Sequence, residues 1–386
     1  MADAYIVETA RTAGGRRGGA LRDWHPADLG AEVLNALVTR SGIDASVIDD
    51  VIVGCVSQGG EQAFAFGRNC VLASDLPQSI PAVTIDRQCG SSQQAVQFAA
   101  QAVMSGTQDI VIAMGVESMS RVPMGSNVSL YAKAGIGEGP FSDRIAAKYG
   151  TKNFSQFIGA EMVAKKHGFN REQLDRYALE SHRRAVSARD SGAFDDEIVP
   201  LQVEGGMHTR DEGIRDDATL DSISNVKLLD PDGMISAANA SQICDGAAGV
   251  LVVSEAALKK YNLTPKARIV NLTVTAGDPV IMLEEPLPAT DRALQRAGMK
   301  IGDIDLFEVN EAFAPIPLAW LKHTGADPEK LNVNGGAIAL GHPLGASGAR
   351  LMTTLVHSLH ARGKKYGLQT MCEGGGIANV TIIEAV

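Results

Sequence analysis

Three titratable side chains stand in segments that let a ligand approach closely: Cys89, His342 and Cys372. Cys89 lies in Pro81-Ala-Val-Thr-Ile-Asp-Arg-Gln-Cys89-Gly-Ser-Ser-Gln-Gln-Ala-Val. The β-branched run at Val83 to Ile85 predicts a strand. Ala95, Val96, Ala99, Ala100 and Val103 recur at helical spacing and predict a helix. A cysteine at a helix N-terminus feels the positive end of the dipole, which is expected to favour thiolate over thiol. The local alternative is an inert core cysteine.

His342 lies in a glycine-rich loop, Asn332-Val-Asn-Gly-Gly-Ala-Ile-Ala-Leu-Gly-His342-Pro-Leu-Gly-Ala-Ser-Gly, leading into a helix. The loop does not match a dinucleotide fingerprint. Cys372 ends a predicted strand and precedes Gly374, Gly375 and Gly376, whose N–H groups are free to orient. Asn310 follows an apolar strand directly, at the edge where α/β sheets place their sites; the local alternative is a helix cap. Ser236-Ala-Ala-Asn-Ala-Ser241 is either the lining of a channel for an extended ligand or an ordinary loop.

Together these parts meet one chemical need. A nucleophilic thiol requires a base, which His342 can be. A carbonyl that becomes tetrahedral requires N–H donors, which Cys89 and Gly374 can supply. A second thiol suggests a second proton transfer. Acyl transfer to or from a thioester-bound carbanion uses all of these, whereas plain hydrolysis has no use for Cys372.

The elements that carry them are read as two related α/β halves. Gly42, Ile48 and Cys55 are matched by Gly298, Ile304 and Asn310, and Ser92 by Ser347. Met114 is matched by Met371, and the separations stay between 255 and 257 residues. This order puts Cys372 at the same sheet edge as the Cys89 turn. The stretch from Met119 to Ala240 has no counterpart and reads as an insertion over the core. Within it, Asn170 with Gln173 predicts a capping box, and Asp211 to Asp221 an acidic loop.

The composition narrows the class. The 386 residues exceed one ordinary core. A net charge of −10 without a basic tract argues against nucleic acid. The five cysteines show no CxxC or Cys/His ligand spacing, so no disulfide framework and no metal site are expected, and a reducing compartment fits. No apolar run has the length of a membrane span, and the first residues lack a signal-peptide pattern.

At these residues the chain resembles the thiolases, the acetyl-CoA acetyltransferase and 3-ketoacyl-CoA thiolase family. The resemblance runs through Arg11-Thr-Ala-Gly-Gly, Gln88-Cys-Gly-Ser, Gly115-Val-Glu-Ser-Met-Ser, Asn310-Glu-Ala-Phe, Gly341-His-Pro and Cys372-Glu-Gly-Gly-Gly. It implies an α/β thiolase fold: two duplicated βαβαβαββ halves in a five-layer α/β/α/β/α arrangement with an inserted loop domain. The expected division is 1–118 with 241–264 as the first half, 119–240 as the insertion, and 265–386 as the second half. By resemblance, Cys89 takes the acyl group and His342 activates it. Asn310 holds the water of one oxyanion site, and the N–H groups of Cys89 and Gly374 form the other. Cys372 moves the proton at C2 of acetyl-CoA. Ser241 contacts the pantetheine arm, Ala312 and Phe313 line the acyl pocket, and Arg215 and Ser222 contact the CoA nucleotide. CoA is then a substrate, no cofactor is held permanently, and a cytoplasmic homodimer or homotetramer is expected. Departures from the family pattern are Ser92, Ala378 and Ile281-Met-Leu-Glu-Glu-Pro, near the family's acyl pocket. The alternatives are a decarboxylating ketoacyl synthase, which would not need Cys372, and a non-catalytic acyl-CoA or lipid carrier.

Overall fold

Alternating apolar strands and glycine-ended helices build the chain's two halves, and the computed structural model describes residues 2–386. The first half runs β1 (Ala4–Thr12), α1 (Pro26–Ser41), β2 (Asp50–Gly54), α2 (Phe66–Ala73), β3 (Ala82–Ile85), α3 (Ser91–Ser105) and β4 (Ile110–Ser118). The insertion follows with α4 (Ser126–Lys133), α5 (Asp143–Tyr149), α6 (Gln156–His167), α7 (Arg171–Asp190) and α8 (Leu220–Ser224). β5 (Cys244–Ser254) completes the first half, and α9 (Glu255–Tyr261) leads out of it. The second half runs β6 (Ala267–Ala276), α10 (Pro286–Ala297), β7 (Leu306–Val309), α11 (Pro315–Thr324), α12 (Ala337–Leu340), α13 (Ser347–Ala361), β8 (Tyr366–Glu373) and β9 (Ile377–Ala385).

Both halves wind alike. One continuous sheet has the order β7-β8-β9-β6-β1-β5-β4-β2-β3. In the first half β2 pairs in parallel with β3 and β4, and β5 lies antiparallel between β4 and β1. In the second half β7 and β8 pair in parallel, and β9 lies antiparallel between β8 and β6. The halves join where Tyr5 and Ile6 face Arg268 and Ala267. The strand equivalent to β3 is reduced to a single parallel bridge between Phe307 and Leu331.

Strand alternation sorts the side chains into layers. On β4, Ile110, Ile112, Met114 and Val116 join the outer core against α1 and α2. Val111 and Ala113 point the other way, into a central core with Ala95, Val96 and Ala99 of α3 and Met352, Leu355 and Val356 of α13. Phe307, Leu368 and Ile382 face the outer helices α10 and α11, while Leu306 and Ile383 face the central pair. The result is the expected five layers, with α3 and α13 in the middle. Each fully buried Val or Leu contributes roughly 1.5–3 kcal/mol to this arrangement.

Local chemistry sets the helix ends. α1 and α10 both begin on proline, and both end on glycine in the left-handed region, Gly42 (φ 69°) and Gly298 (φ 66°). The Asn170–Gln173 capping box forms at the start of α7. The expected acidic loop is open only in part. Asp211 is buried and takes both Nη atoms of Arg11 at 2.8 and 3.0 Å, while Arg11 Nε reaches Glu197 at 2.6 Å. That triad ties the insertion to β1. Among the described residues no helix is long and apolar enough to cross a membrane.

Candidate active site

The central helices position the site, because their N-termini lie side by side. Gly348 makes this possible: a Cβ there would come within 2.1 Å of the Gln93 nitrogen. Ser92, opposite it, uses its Oγ to accept the Ala349 N–H at 2.8 Å.

Cys89 sits in the turn between β3 and α3, with Gly90 as the N-cap and Gln88 in the left-handed region (φ 48°). Asp86 holds that turn, accepting the Gln88 N–H at 2.7 Å. The thiol is buried beside Val56, Met119, Leu344, Leu351 and Met371. Its sulfur faces the backbone N–H groups of Cys89 itself and of Gly374, which comes from the other half. The Cys89 side chain also acts on the Cys372 thiol.

The expectation of a resting thiolate is not met. Burial, followed by the negative charge of Glu373, pushes the Cys89 thiol up to about 12. Burial, then Cys89 and Glu373, pushes Cys372 well above its ordinary value. Desolvation outweighs the helix dipole here, because the Cys89 side chain is buried although Asp86 and Gln88 of the same turn are exposed.

His342 is buried, and burial with the nearby Arg350 guanidinium lowers its imidazole to about 3. It is therefore neutral, and its tautomer follows from its neighbours. Ser347 Oγ donates to the Pro343 carbonyl at 2.8 Å. The hydroxyl has one hydrogen, so it accepts from Nδ1–H of His342 across 2.5 Å. Nε2 is left as the basic nitrogen, 3.4 Å from Asn310 Nδ2. Asn310 is fully buried at the end of β7, and its Oδ1 has no protein partner.

The structure brings several other expected residues to this place. Ser241 N–H donates to the Ala312 carbonyl at 2.9 Å, and Ala240 bridges Phe313. Ala312, Phe313 and Cys372 belong to one apolar cluster. Arg215 and Ser222 lie on the insertion instead. Arg215 lines a cavity of about 250 Å³ with His182, Arg183, Ser187 and Asp216. Ser222 is exposed and closes a capping box with Thr219 at the start of α8.

Three residues near the site were not singled out from the sequence. Ser347 sets the imidazole. Glu117 accepts the Val56, Ser57 and Gly345 N–H groups at 2.9, 3.0 and 2.9 Å, and the Gln62 amide at 3.0 Å, pinning two loops together. Glu373 lies buried next to both thiols. The spacing of Ser347 from His342, at the first residue of the next helix, was the available signal for the first. For the glutamates it was their separation of 256 residues, the offset of the repeat.

Comparison with known proteins covers the whole chain. The model of the thiolase N-terminal domain matches residues 4–256, and that of the thiolase C-terminal domain matches residues 263–385. The steroid 3-ketoacyl-CoA thiolase FadA6 of Mycobacterium tuberculosis is 49% identical over 386 residues, covering 100% of this chain and 94% of that protein. The 3-ketoacyl-CoA thiolase of Cronobacter sakazakii is 41% identical, with 100% of both chains covered. The crystal structure of human mitochondrial 3-ketoacyl-CoA thiolase superposes with a TM-score of 0.89 at 37% identity, covering 100% of this chain and 99% of that one. Duplicated halves, paired thiols and end-to-end similarity lead to one conclusion: this chain belongs to the thiolase family.

Proposed function

We propose that Cys89 carries the acyl group while a 3-ketoacyl-CoA and CoA are converted to acetyl-CoA and a shortened acyl-CoA. In this reading the Cys89 sulfur attacks the C3 carbonyl as its proton passes to His342 Nε2. The tetrahedral oxyanion collapses, the C2–C3 bond breaks, and the Cys372 thiol protonates C2 to release acetyl-CoA. CoA then attacks the Cys89 thioester. Its thiol proton goes to the Cys372 thiolate, and Cys89 leaves to recover its proton from His342. The N–H groups of Cys89 and Gly374 serve one oxyanion; Asn310 and His342 Nε2–H, through a water, serve the other. A neutral imidazole and neutral thiols suit this cycle, because each proton has an acceptor when it moves. The supporting observation is that Gly374 and Cys372 reach Cys89 from the opposite half of the chain.

The test uses acetyl-CoA. Digestion after incubation should reveal an acetyl group on Cys89, absent in Cys89→Ala. Cys372→Ala should keep most of the adduct and lose condensation at least a thousandfold, as expected for an essential proton-transfer group. Normal turnover by Cys372→Ala would remove the two-thiol mechanism.

The acyl group is bulky in this reading, and cleavage is the working direction. Two observations support it: the 49% identity to a protein named a steroid 3-ketoacyl-CoA thiolase, and a cavity of about 620 Å³ whose apolar lining, Phe157, Ile158, Met162, Leu229, Pro231 and Ile235, is joined by Glu161, Lys165 and Asp230. The Phe157 ring lies edge-on to Phe313, 5.6 Å between centroids. A panel of short linear, long linear and ring-bearing 3-ketoacyl-CoAs decides this: highest kcat/KM on the short linear member would sink it.

The same reading includes a dimer formed across β3. That strand is the sheet edge, and Val83, Leu72 and Phe64 are exposed there (46%, 56% and 91%). An uncovered apolar edge invites pairing. Val83→Lys should shift sedimentation toward the monomer. The division into 1–118 with 241–264, 119–240 and 265–386, and a cytoplasmic location, complete the proposal; limited proteolysis and cell fractionation test them.

A further inference from the structure

The two halves each carry a glutamate at the same place, and the pair is unequal. Glu117 and Glu373 are 256 residues apart; Glu117 is the last residue but one of β4 and Glu373 the last of β8. Each carboxyl reaches the turn that starts a central helix. A Cβ on Gly345 would meet Glu117 Oε2 at 2.8 Å, and a Cβ on Gly90 would meet Glu373 Oε1 at 1.9 Å. Glu117 has four donors. Glu373 is fully buried, and no ion pair among the described residues includes it. With the Asn379 amide oriented to satisfy both its ends, Nδ2 donates to Glu373 Oε1 at 3.0 Å; Oε2 has no partner. Strand alternation sends Cys372 to the substrate side and Glu373 to the opposite side, beneath the Cys89–Gly90 turn.

We propose that Glu373 is a positioning residue for the thiol pair: a buried carboxyl clamped between Asn379 and Gly90 whose charge state controls how readily Cys89 and Cys372 ionise. A buried carboxylate with one oxygen unpartnered and no ion pair is unfavourable, so the group is held as the neutral acid. Burial accordingly raises its carboxyl well above the usual range, against Arg87 and the Asn379 N–H. The charged or titratable groups that act on it or feel it are Arg87 and Cys89 from the turn and Cys372 on its own strand. β9 presents Asn379 and α3 presents Gln94, neither of which titrates. Once ionised, the carboxyl opposes ionisation of both thiols. The thiols stay neutral until substrate and His342 remove the Cys89 proton. Glu117, saturated with donors, holds the loops and acts on Cys89 less than Glu373 does.

The inference rests on Cys89 as the nucleophile, but its test needs no turnover, so the two can fail separately. Cys89 alkylation by iodoacetamide is followed across neutral and alkaline pH in the full-length protein, by peptide mass spectrometry. Glu373→Gln keeps the shape and cannot ionise. It should lower the alkylation midpoint by about one pH unit, about tenfold faster reaction on the rising limb. A profile that superimposes on the parent's overturns the proposal. If the variant does not fold, carbon-13 NMR of the parent's glutamate carboxyls decides. A Glu373 signal that titrates above neutrality supports the assignment, and one in the ordinary carboxylate range overturns it.

Discussion

The first half of the chain holds the proposed nucleophile and the second half holds the base, although the same frame builds both. The starts of β2 and β7, of α3 and α13, and of β4 and β8 are related by one offset: 306 − 50, 347 − 91 and 366 − 110 each equal 256. Symmetry therefore puts two helix N-termini together. The differences between them make the chemistry. Ser91 and Ser347 occupy the same helical position. Ser91 Oγ donates to the Gln88 carbonyl at 2.6 Å and accepts the Arg87 N–H at 2.9 Å, so it closes the cysteine turn. Ser347 makes the matching bond to Pro343 but spends its acceptor on His342. One hydroxyl shapes a backbone, and its twin orients an imidazole.

The hardest way to break the comparison is to fill the gap between the helices. Ser92 and Gly348 are equivalent by the same offset, and only one of them can bear a side chain. Gly348→Ser would place atoms into the Gln93 backbone. The expected loss is about 3 kcal/mol or more, read as a fall in the thermal midpoint together with loss of activity. Ser92→Gly removes one buried hydrogen bond and should cost only about 1 kcal/mol. Equal costs would mean that the helices are not in mutual contact at this point.

The two serines give the next contrast. Ser347→Ala frees Nδ1 of His342 and lets the other tautomer compete, so kcat should fall about tenfold to a hundredfold with KM little changed. Ser91→Ala should cost about 1 kcal/mol of stability, with a smaller effect on kcat. Steady-state kinetics beside urea unfolding separates these outcomes. A larger kcat loss at Ser91 would reverse the roles assigned here.

This contrast also marks what the sequence made legible. The repeat was readable because strands and glycine caps keep their spacing, and matches made at 255 to 257 residues agree with the 256 of the elements. The same reading paired Ser92 with Ser347, one residue off, because helix starts are set by caps that spacing does not locate. Cys89, His342 and Cys372 stood out as titratable groups at strand ends or in glycine-rich turns. The ionisation state of Cys89 did not, since burial is a tertiary property. Arg11, Glu197 and Asp211 were opaque for a like reason: their partners lie 186 and 200 residues away in the chain.

Acid should unfold the molecule through histidines of the insertion and the second half. His342 is held down to about 3, and His182 and His357 to about 4, with burial the leading cause in each. All three are lower than in the unfolded chain. Above pH 6.5 neither state is protonated, and nothing is lost. As pH falls from 6.5 toward 4, the unfolded chain binds protons that the folded one refuses, so stability drops. Calorimetry at successive pH values should give an uptake on unfolding that approaches three protons from these groups. His357→Gln, remote from the thiols, should remove one of them. An unchanged slope in that variant would mean that His357 is protonated in the folded state.

The smallest contrast lies within the insertion, between Arg215 and Ser222. Both were matched to the CoA nucleotide by resemblance, but they are differently free to bind. The Ser222 hydroxyl already accepts the Thr219 N–H at 3.0 Å and donates to the Thr219 carbonyl at 2.9 Å. A nucleotide must compete with that capping box. Arg215 uses only its backbone N–H, toward His182 Nδ1 at 3.3 Å, and its side chain borders the cavity. Arg215→Ala should then raise the KM for CoA about tenfold, the scale of one lost charge-assisted contact. Ser222→Ala should raise it less than about threefold, with the larger part of its effect in fraying of α8. Equal shifts would mean that the capping box opens when CoA binds, with the hydroxyl exchanging Thr219 for the nucleotide.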